Sequence, residues 1–262
     1  MLDFGKFLLV LYLITVTLLY FGQRTLLYFP PVNSPTVNSP TANKATAQQD
    51  EIAFHVNEQT IQAWQINAET SHALLYFGGN AEDVAANIES FVQLFPHHTV
   101  YLINYRGYGA STGSPSEQAL TQDALAIYDQ LANDYQTISV MGRSLGSGVA
   151  VNLSAVRTIK KMILVTPFDS ILNVAQDIYW MFPLSFLLKD KFESWRKLED
   201  INADSLLIIA EQDEVIAPKY GHNLANYFAT KPKLKVKVIV GAGHNNIAEF
   251  SAYQQALAEF MQ

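Results

Sequence analysis

Thr137-Ile-Ser-Val-Met-Gly-Arg-Ser-Leu-Gly-Ser-Gly148 decides how the rest of this chain is read. Its first five residues favour a β-strand, and the apolar, small-residue segment from Ser147 to Val156 reads as a helix. Gly142-Arg-Ser-Leu-Gly146 therefore lies as G-x-S-x-G between a predicted strand and a predicted helix, the context in which the motif marks a nucleophile elbow. A serine on so sharp a turn sits in strained backbone, so the residues two before and two after it must lack bulk. The same letters fit an ordinary tight turn with a solvent-facing serine, so the surrounding chain has to decide.

Outward from that stretch the pattern is regular. Glu51–Val56 and Thr60–Ile66 alternate around Asn57-Glu58-Gln59, a hairpin signal. Apolar strands are predicted at His72–Phe77, Thr99–Tyr105, Lys161–Thr166, Asp204–Ala210 and Leu234–Val240. Helical spacing appears in the amphipathic stretch to Phe95 and over Ser116–Tyr135, Pro218–Ala229 and Asn246–Met261. A hairpin followed by strand–helix alternation with apolar strands predicts an α/β fold: a mostly parallel, doubly wound sheet covered on both faces. The alternation lapses between Pro167 and Asp200.

In such sheets reacting groups collect at the C-terminal ends of strands. After Asp204–Ala210 come Glu211-Gln-Asp213-Glu214, and after Leu234–Val240 come Gly241-Ala-Gly-His244. The order Ser144, Asp213, His244 matches one of the known orders of a serine–acid–histidine triad. His244 stands out among six histidines because it follows the final strand in a glycine-rich loop; His55, His72, His97, His98 and His222 read as surface or packing residues. For the acid, Glu214 adjoins Asp213, and Asp169 follows the preceding strand, where it could equally cap a helix. One oxyanion donor is expected at the Leu145 N–H. The other belongs in the Phe77-Gly-Gly-Asn80 loop, at the Asn80 amide with Gly79 as the alternative. Ser144 would attack an ester or thioester carbonyl, with His244 as base and Asp213 orienting the ring, and no metal or cofactor enters that chemistry.

The N-terminus is different. Phe7–Phe21 is an uncharged apolar run, and the window between Lys6 and Arg24 covers 17 residues, roughly 26 Å as a helix. With Lys6 and Arg24 snorkelling this suits an uncleaved membrane anchor. A cleaved signal peptide would want a small-x-small site soon after the run, and Ala45-Thr-Ala47 lies far beyond it. Flanking charge leans towards a catalytic domain on the non-cytoplasmic side. The Val32–Thr46 near-repeat, VNSPT-VNSPT-ANKAT, reads as a spacer. The expected organisation is thus an anchor over 1–29, a flexible linker over 30–50, and a catalytic domain over 51–262 interrupted at about 167–200. A net charge of −7 without a basic cluster argues against nucleic-acid binding, and the absence of cysteine excludes thiol chemistry.

Six stretches together carry a resemblance: LLYFGGNAEDV (74–84), NYRGYGASTGSPSE (104–117), GRSLGSGVA (142–150), TPFDS (166–170), IIAEQDEVIAP (208–218) and GAGHNNI (241–247). With the apolar N-terminus and LLYFP (26–30), the chain resembles the membrane-anchored α/β-hydrolases, the ABHD-type and Bem-type serine hydrolases. The resemblance implies the α/β-hydrolase fold with a short cap insertion and an N-terminal transmembrane helix. It also implies Ser144 as nucleophile, Asp213 as orienting acid, His244 as base, and the Leu145 and Asn80 amides as oxyanion donors. One departure stands out: the family commonly reads His-Gly-Asn where this chain has Gly78-Gly79-Asn80. The 167–200 insertion carries Ile178-Tyr-Trp-Met-Phe-Pro-Leu-Ser-Phe-Leu-Leu188. That segment fits a cap packed on the domain, or an acyl-binding lid or bilayer-touching surface, with Trp180, Phe182 and Phe186 as candidate substrate contacts. Gly79 and Arg106, the latter in the Arg106-Gly-Tyr-Gly109 loop at a strand end, are further candidates, although the arginine loop also fits a purely structural connection. Small or lipid-like acyl compounds are the expected substrates. A membrane-tethered scaffold without turnover and a serine peptidase are the alternatives.

Overall fold

A computed structural model describes residues 3–31, 49–228 and 233–262. The spacer repeat at 32–46 lies outside the described residues. The chain begins with α1 (Phe4–Leu27), then the hairpin β1 (Gln49–Val56) and β2 (Gln59–Ile66), β3 (His72–Phe77), α2 (Ile88–Leu94) and β4 (Thr99–Ile103). It continues with α3 (Glu117–Leu131), β5 (Thr137–Arg143), α4 (Leu145–Val156) and β6 (Lys161–Val165). The interruption holds α5 (Ile171–Ile178) and α6 (Leu184–Leu187), after which β7 (Asp204–Ala210), α7 (Pro218–Phe228), β8 (Leu234–Ile239) and α8 (Ser251–Met261) complete the chain.

Among the described residues eight strands form one sheet in the order β1-β2-β4-β3-β5-β6-β7-β8, antiparallel at β1–β2 and β2–β4 and parallel from β4 to β8. The chain steps from β3 out to β4 and then back across to β5, so the order reverses at β3. A crevice opens at such a reversal, beyond the carboxyl ends of the two strands that flank it. Those ends are Phe77 and Arg143, which lead directly into the Gly78-Gly79-Asn80 loop and Ser144. Topology alone therefore brings the two glycine-bearing loops together.

Side chains alternate across the sheet, and both faces are buried. On β6, Met162 and Leu164 pack with α3 and α4 residues such as Ile127 and Val149, whereas Ile163 and Val165 pack on the opposite face with Phe91 of α2 and Leu257 of α8. The hairpin turns through Asn57, whose positive φ of 54° suits an asparagine.

Differences from expectation lie at element ends. The first strand starts at Gln49, so the last two residues assigned to the linker belong to the sheet. The fourth strand stops at Ile103, two residues early, because Tyr105 turns away to donate its hydroxyl to the Gly78 carbonyl at 2.6 Å. The expected final helix is broken: a 3-10 turn over Ile247–Glu249 precedes α8, separated from it by extended Phe250. The helix expected up to Phe95 also opens as a 3-10 turn, Val84–Asn87, capped by the Asp83 carboxylate on the Ala85 N–H.

One packing histidine has a measurable consequence. Burial, with the neighbouring His72, pushes His98 down to about 4. Between that value and the ordinary 6.5, the unfolded chain binds a proton at His98 that the folded chain refuses. Its contribution is therefore complete above pH 6.5 and is lost as pH falls towards 4. In urea titrations at pH 7 and pH 4.5, His98→Gln is expected to lose less stability on acidification than the wild type; equal losses would contradict this.

Candidate active site

Ser144 separates β5 from α4 at φ 49° and ψ −115°, a conformation that an L-residue adopts only under constraint. The constraint is visible. Its N–H donates to the Val165 carbonyl at 2.9 Å, and its carbonyl accepts from the Ser147 N–H at 2.9 Å and the Ser147 hydroxyl at 2.7 Å. Gly142 and Gly146 are demanded by space: a Cβ on Gly142 would lie 2.2 Å from the Gly146 carbonyl oxygen, and one on Gly146 would lie 2.0 Å from that of Phe77. Helix α4 can thus press against β3 directly behind Ser144.

Two loops bring an acid–imidazole pair. Asp213 follows β7, and its Oδ1 accepts the N–H groups of Val215 at 2.9 Å and Ile216 at 2.7 Å, which locks the carboxylate. His244 follows β8 and places Nδ1 at 2.8 Å from Asp213 Oδ2 and 3.0 Å from Oδ1, with both residues buried. A carboxylate facing Nδ1 assigns the ring proton there and leaves Nε2 with its lone pair. The other two acids go elsewhere. Glu214 accepts the His244 backbone N–H at 3.3 Å, and Asp169 accepts the Ser170 N–H at 2.7 Å and the Asn173 amide at 3.0 Å. Among the described residues, Ser144 and His244 Nε2 share no hydrogen bond within 3.5 Å, a contact that commonly tightens only when substrate is bound.

The loop after β3 is more elaborate than its sequence suggests. Gly79 is removed from the set of donors, because its N–H goes to Glu82 Oε2 at 2.6 Å. The Leu145 N–H opens α4 without an intrahelical acceptor, and among the described residues neither it nor the Asn80 N–H donates to another group. Ala81, at a positive φ of 59°, bends the chain just after Asn80. The Asn80 side chain reaches back to the end of the N-terminal helix. It donates to the Leu27 carbonyl at 2.7 Å and accepts from the Phe29 N–H at 2.9 Å and the Tyr108 hydroxyl at 2.7 Å.

Glu82 joins this loop to the histidine loop. Its carboxylate accepts from Tyr76 at 2.6 Å, Asn87 at 2.7 Å and Arg143 Nη1 at 3.1 Å, while Arg143 Nη2 donates to the His244 carbonyl at 3.0 Å. Burial and the adjacent carboxylate hold the Tyr76 phenol well above its ordinary range, so it remains a donor. Close packing by Val84, with Glu82 beside it, accounts for Gly78. A Cβ there would lie 2.8 Å from Val84 Cγ1 and 3.3 Å from Glu82 Cδ, so a histidine at this place would need Val84 to shift.

The model of the alpha/beta hydrolase fold family matches residues 72–194. An uncharacterized protein of Mycobacterium tuberculosis is 32% identical over 239 residues, covering 88% of this chain and 83% of that one. The chain belongs to the α/β-hydrolase family. Alpha/beta hydrolase domain-containing protein 17C of Xenopus laevis is 30% identical over 198 residues, covering 72% of this α/β-hydrolase and 61% of its own length. Among solved structures, the Pyrococcus furiosus esterase Pf2001 superposes with a TM-score of 0.68 at 17% identity, over 89% of this chain and 97% of that one, which speaks to the fold alone.

The remaining candidates of this α/β-hydrolase divide sharply. Arg106 is not a free cation at the crevice, because its guanidinium holds Asp123 of α3 in a two-pronged ion pair at 2.7 and 2.6 Å. Its loop is a structural connection in which Gly109, at φ 55°, leaves space for the Gln62 and Asn104 side chains. Trp180 and Phe186 point outward, 76% and 88% exposed, whereas Phe182 stacks on Tyr12 of α1 with ring centroids 5.6 Å apart. The cap therefore packs on the N-terminal helix as well as on the domain. Gln23 bonds the Leu187 carbonyl and the Lys189 N–H, and Arg24 pairs with buried Asp190 at 2.9 Å. Sequence reading missed these contacts, which join residues more than 160 positions apart. Among the described residues no group of three or more His, Asp and Glu is gathered as a metal site.

Proposed function

We propose that this α/β-hydrolase is a serine hydrolase that cleaves carboxylic ester or thioester bonds of hydrophobic acyl substrates beside a membrane. The observations that support the reading are the strained, positive-φ Ser144 between β5 and α4, the buried His244–Asp213 pair, and the hydrogen bond from Arg143, the residue before Ser144, to the His244 carbonyl. Ser144 Oγ forms a bond to the acyl carbon while its proton passes to His244 Nε2. The carbonyl oxygen gathers negative charge and is met by the Leu145 and Asn80 N–H groups. Collapse breaks the bond to the leaving alcohol or thiol, which takes the proton from His244. Water, deprotonated by the same nitrogen, then releases the acid and restores Ser144. Asp213 stays ionised throughout and favours the imidazolium.

The membrane setting is supported by α1, which is long and apolar enough to cross a bilayer. It is supported also by the exposed apolar residues Ile178, Trp180, Met181 and Phe186 on the cap beside it. The test is turnover of p-nitrophenyl esters from acetate to octanoate by detergent-solubilised full-length protein. Octanoate is expected to exceed acetate in kcat/KM, by up to about fourfold for each methylene that becomes buried. A preference for acetate would remove the lipid-like substrate from the reading, and no turnover of any ester would remove the hydrolase.

A further inference from the structure

Between α1 and the cap lies a cavity of about 350 Å³ that the triad chemistry does not use. Its walls are Leu19 and Leu27 of α1, Ile171 and Ala175 of α5, and Phe182 and Leu188 beside α6. The polar side chains at its edge are largely engaged: Gln23 binds the Tyr20 and Leu187 carbonyls and the Lys189 N–H, and the Thr15 hydroxyl binds the Leu11 carbonyl. Water needs two to four polar partners to settle in such a space, and these walls offer few. An alkyl chain needs none.

Position identifies the occupant. Leu27, one wall of the cavity, gives its carbonyl to the side chain of Asn80, whose own N–H is the proposed oxyanion donor. Ile171, another wall, opens α5 just beyond Asp169 and Ser170, six residues after Val165, whose carbonyl holds the Ser144 N–H. One wall of the cavity is therefore a single hydrogen bond from the Asn80 side chain in the proposed oxyanion loop. From Leu27 the lining extends along the helix to Thr15, roughly 18 Å at 1.5 Å per residue. A volume of about 350 Å³ lies within the range of small-ligand pockets.

We infer that this cavity binds the acyl chain of the substrate, so that the N-terminal helix is both the tether and one wall of the chain-length ruler. The inference rests on the hydrolase reading above and adds where the chain lies and what limits its length. The selectivity of an enzyme built this way resides in the contact between its helix and its cap, far from the elbow in sequence.

The experiment compares wild type, Ala175→Leu and Leu188→Ala as full-length proteins in mixed micelles, with p-nitrophenyl esters from butyrate to hexadecanoate. Filling the cavity with Ala175→Leu is expected to move the favoured chain two or more carbons shorter. The longest favoured wild-type ester should then lose about fifteenfold in kcat/KM relative to an ester two carbons shorter. Enlarging it with Leu188→Ala is expected to move the optimum the other way. Because the two shifts are opposite, general loosening of the protein cannot imitate them; if only Ala175→Leu folds, a loss on long esters with activity on short esters retained makes the same distinction. An identical chain-length profile in all three proteins, or a uniform loss across all esters, would overturn the inference while leaving hydrolase activity intact. Absence of turnover on every ester in folded wild type would instead reject the hydrolase reading itself.

Discussion

Replacing Ser144 by alanine is expected to lower kcat on p-nitrophenyl esters by a factor on the order of 10⁴ to 10⁶, because no other group at the elbow can form the acyl-enzyme. Folding should survive. The strain belongs to the backbone at φ 49°, and alanine keeps it. Replacing Ser144 by glycine abolishes the same chemistry but relieves that strain, and is expected to raise stability by about 1 kcal/mol in urea unfolding, since positive-φ strain costs about 1–3 kcal/mol against the greater chain entropy of glycine. Opposite effects of one glycine substitution on activity and stability are what a functionally strained residue should give. A Ser144→Gly protein that is inactive and less stable than Ser144→Ala would contradict the strain argument.

Gly146→Ala is expected to have the largest effect on stability. Its Cβ would lie 2.0 Å from the Phe77 carbonyl oxygen, 2.6 Å from the Phe77 carbonyl carbon and 2.7 Å from the Gly78 oxygen. All three are backbone atoms, so no side-chain rotation relieves the clash, and α4 must move off β3. Overpacking typically costs about 1–3 kcal/mol, and a clash with three backbone atoms should reach about 3 kcal/mol or more, a large part of the roughly 5–15 kcal/mol that a folded domain holds. In thermal unfolding by circular dichroism this corresponds to a fall of about 10 °C or more at this chain size, or to failure to accumulate folded protein. The same displacement shifts Phe77 and Gly78, which lead into the proposed oxyanion loop, so any residual fold should also be nearly inactive. A melting temperature within 2–3 °C of wild type, about 1 kcal/mol, would contradict the close approach.

Most of what places the candidate site was legible because it depends on local patterns. A β-favouring run entering G-x-S-x-G and leaving as a helix defines the elbow. Asp213 and His244 were recoverable because each follows a strand in a parallel sheet, where chain ends converge. Asp213 was preferred to Glu214 by its position, and in the structure the two neighbours face different ways: Asp213 meets the ring and Glu214 the backbone of the same histidine. Strand order was out of reach because periodicity reports which face is buried and says nothing of which strand is the neighbour. The same limit hid the Glu82–Arg143 strut, in which the variable residue of the motif ties two loops together. Asn80 was chosen for its backbone, yet its side chain holds the end of α1. For Arg106 the sequence left a substrate contact and a structural connection both open, and the structure pairs its charge with Asp123. The N-terminal helix was read by composition alone, and composition could not show that its inner half packs on the cap.

The central claim is that Ser144 is an activated nucleophile. Full-length protein in detergent, treated with a fluorophosphonate, digested and mapped by mass spectrometry, tests it most directly. A single phosphonyl adduct on the peptide carrying Ser144, absent from folded Ser144→Ala, is the predicted result. Folded wild-type protein that takes no adduct, or an adduct that persists in Ser144→Ala, would contradict it.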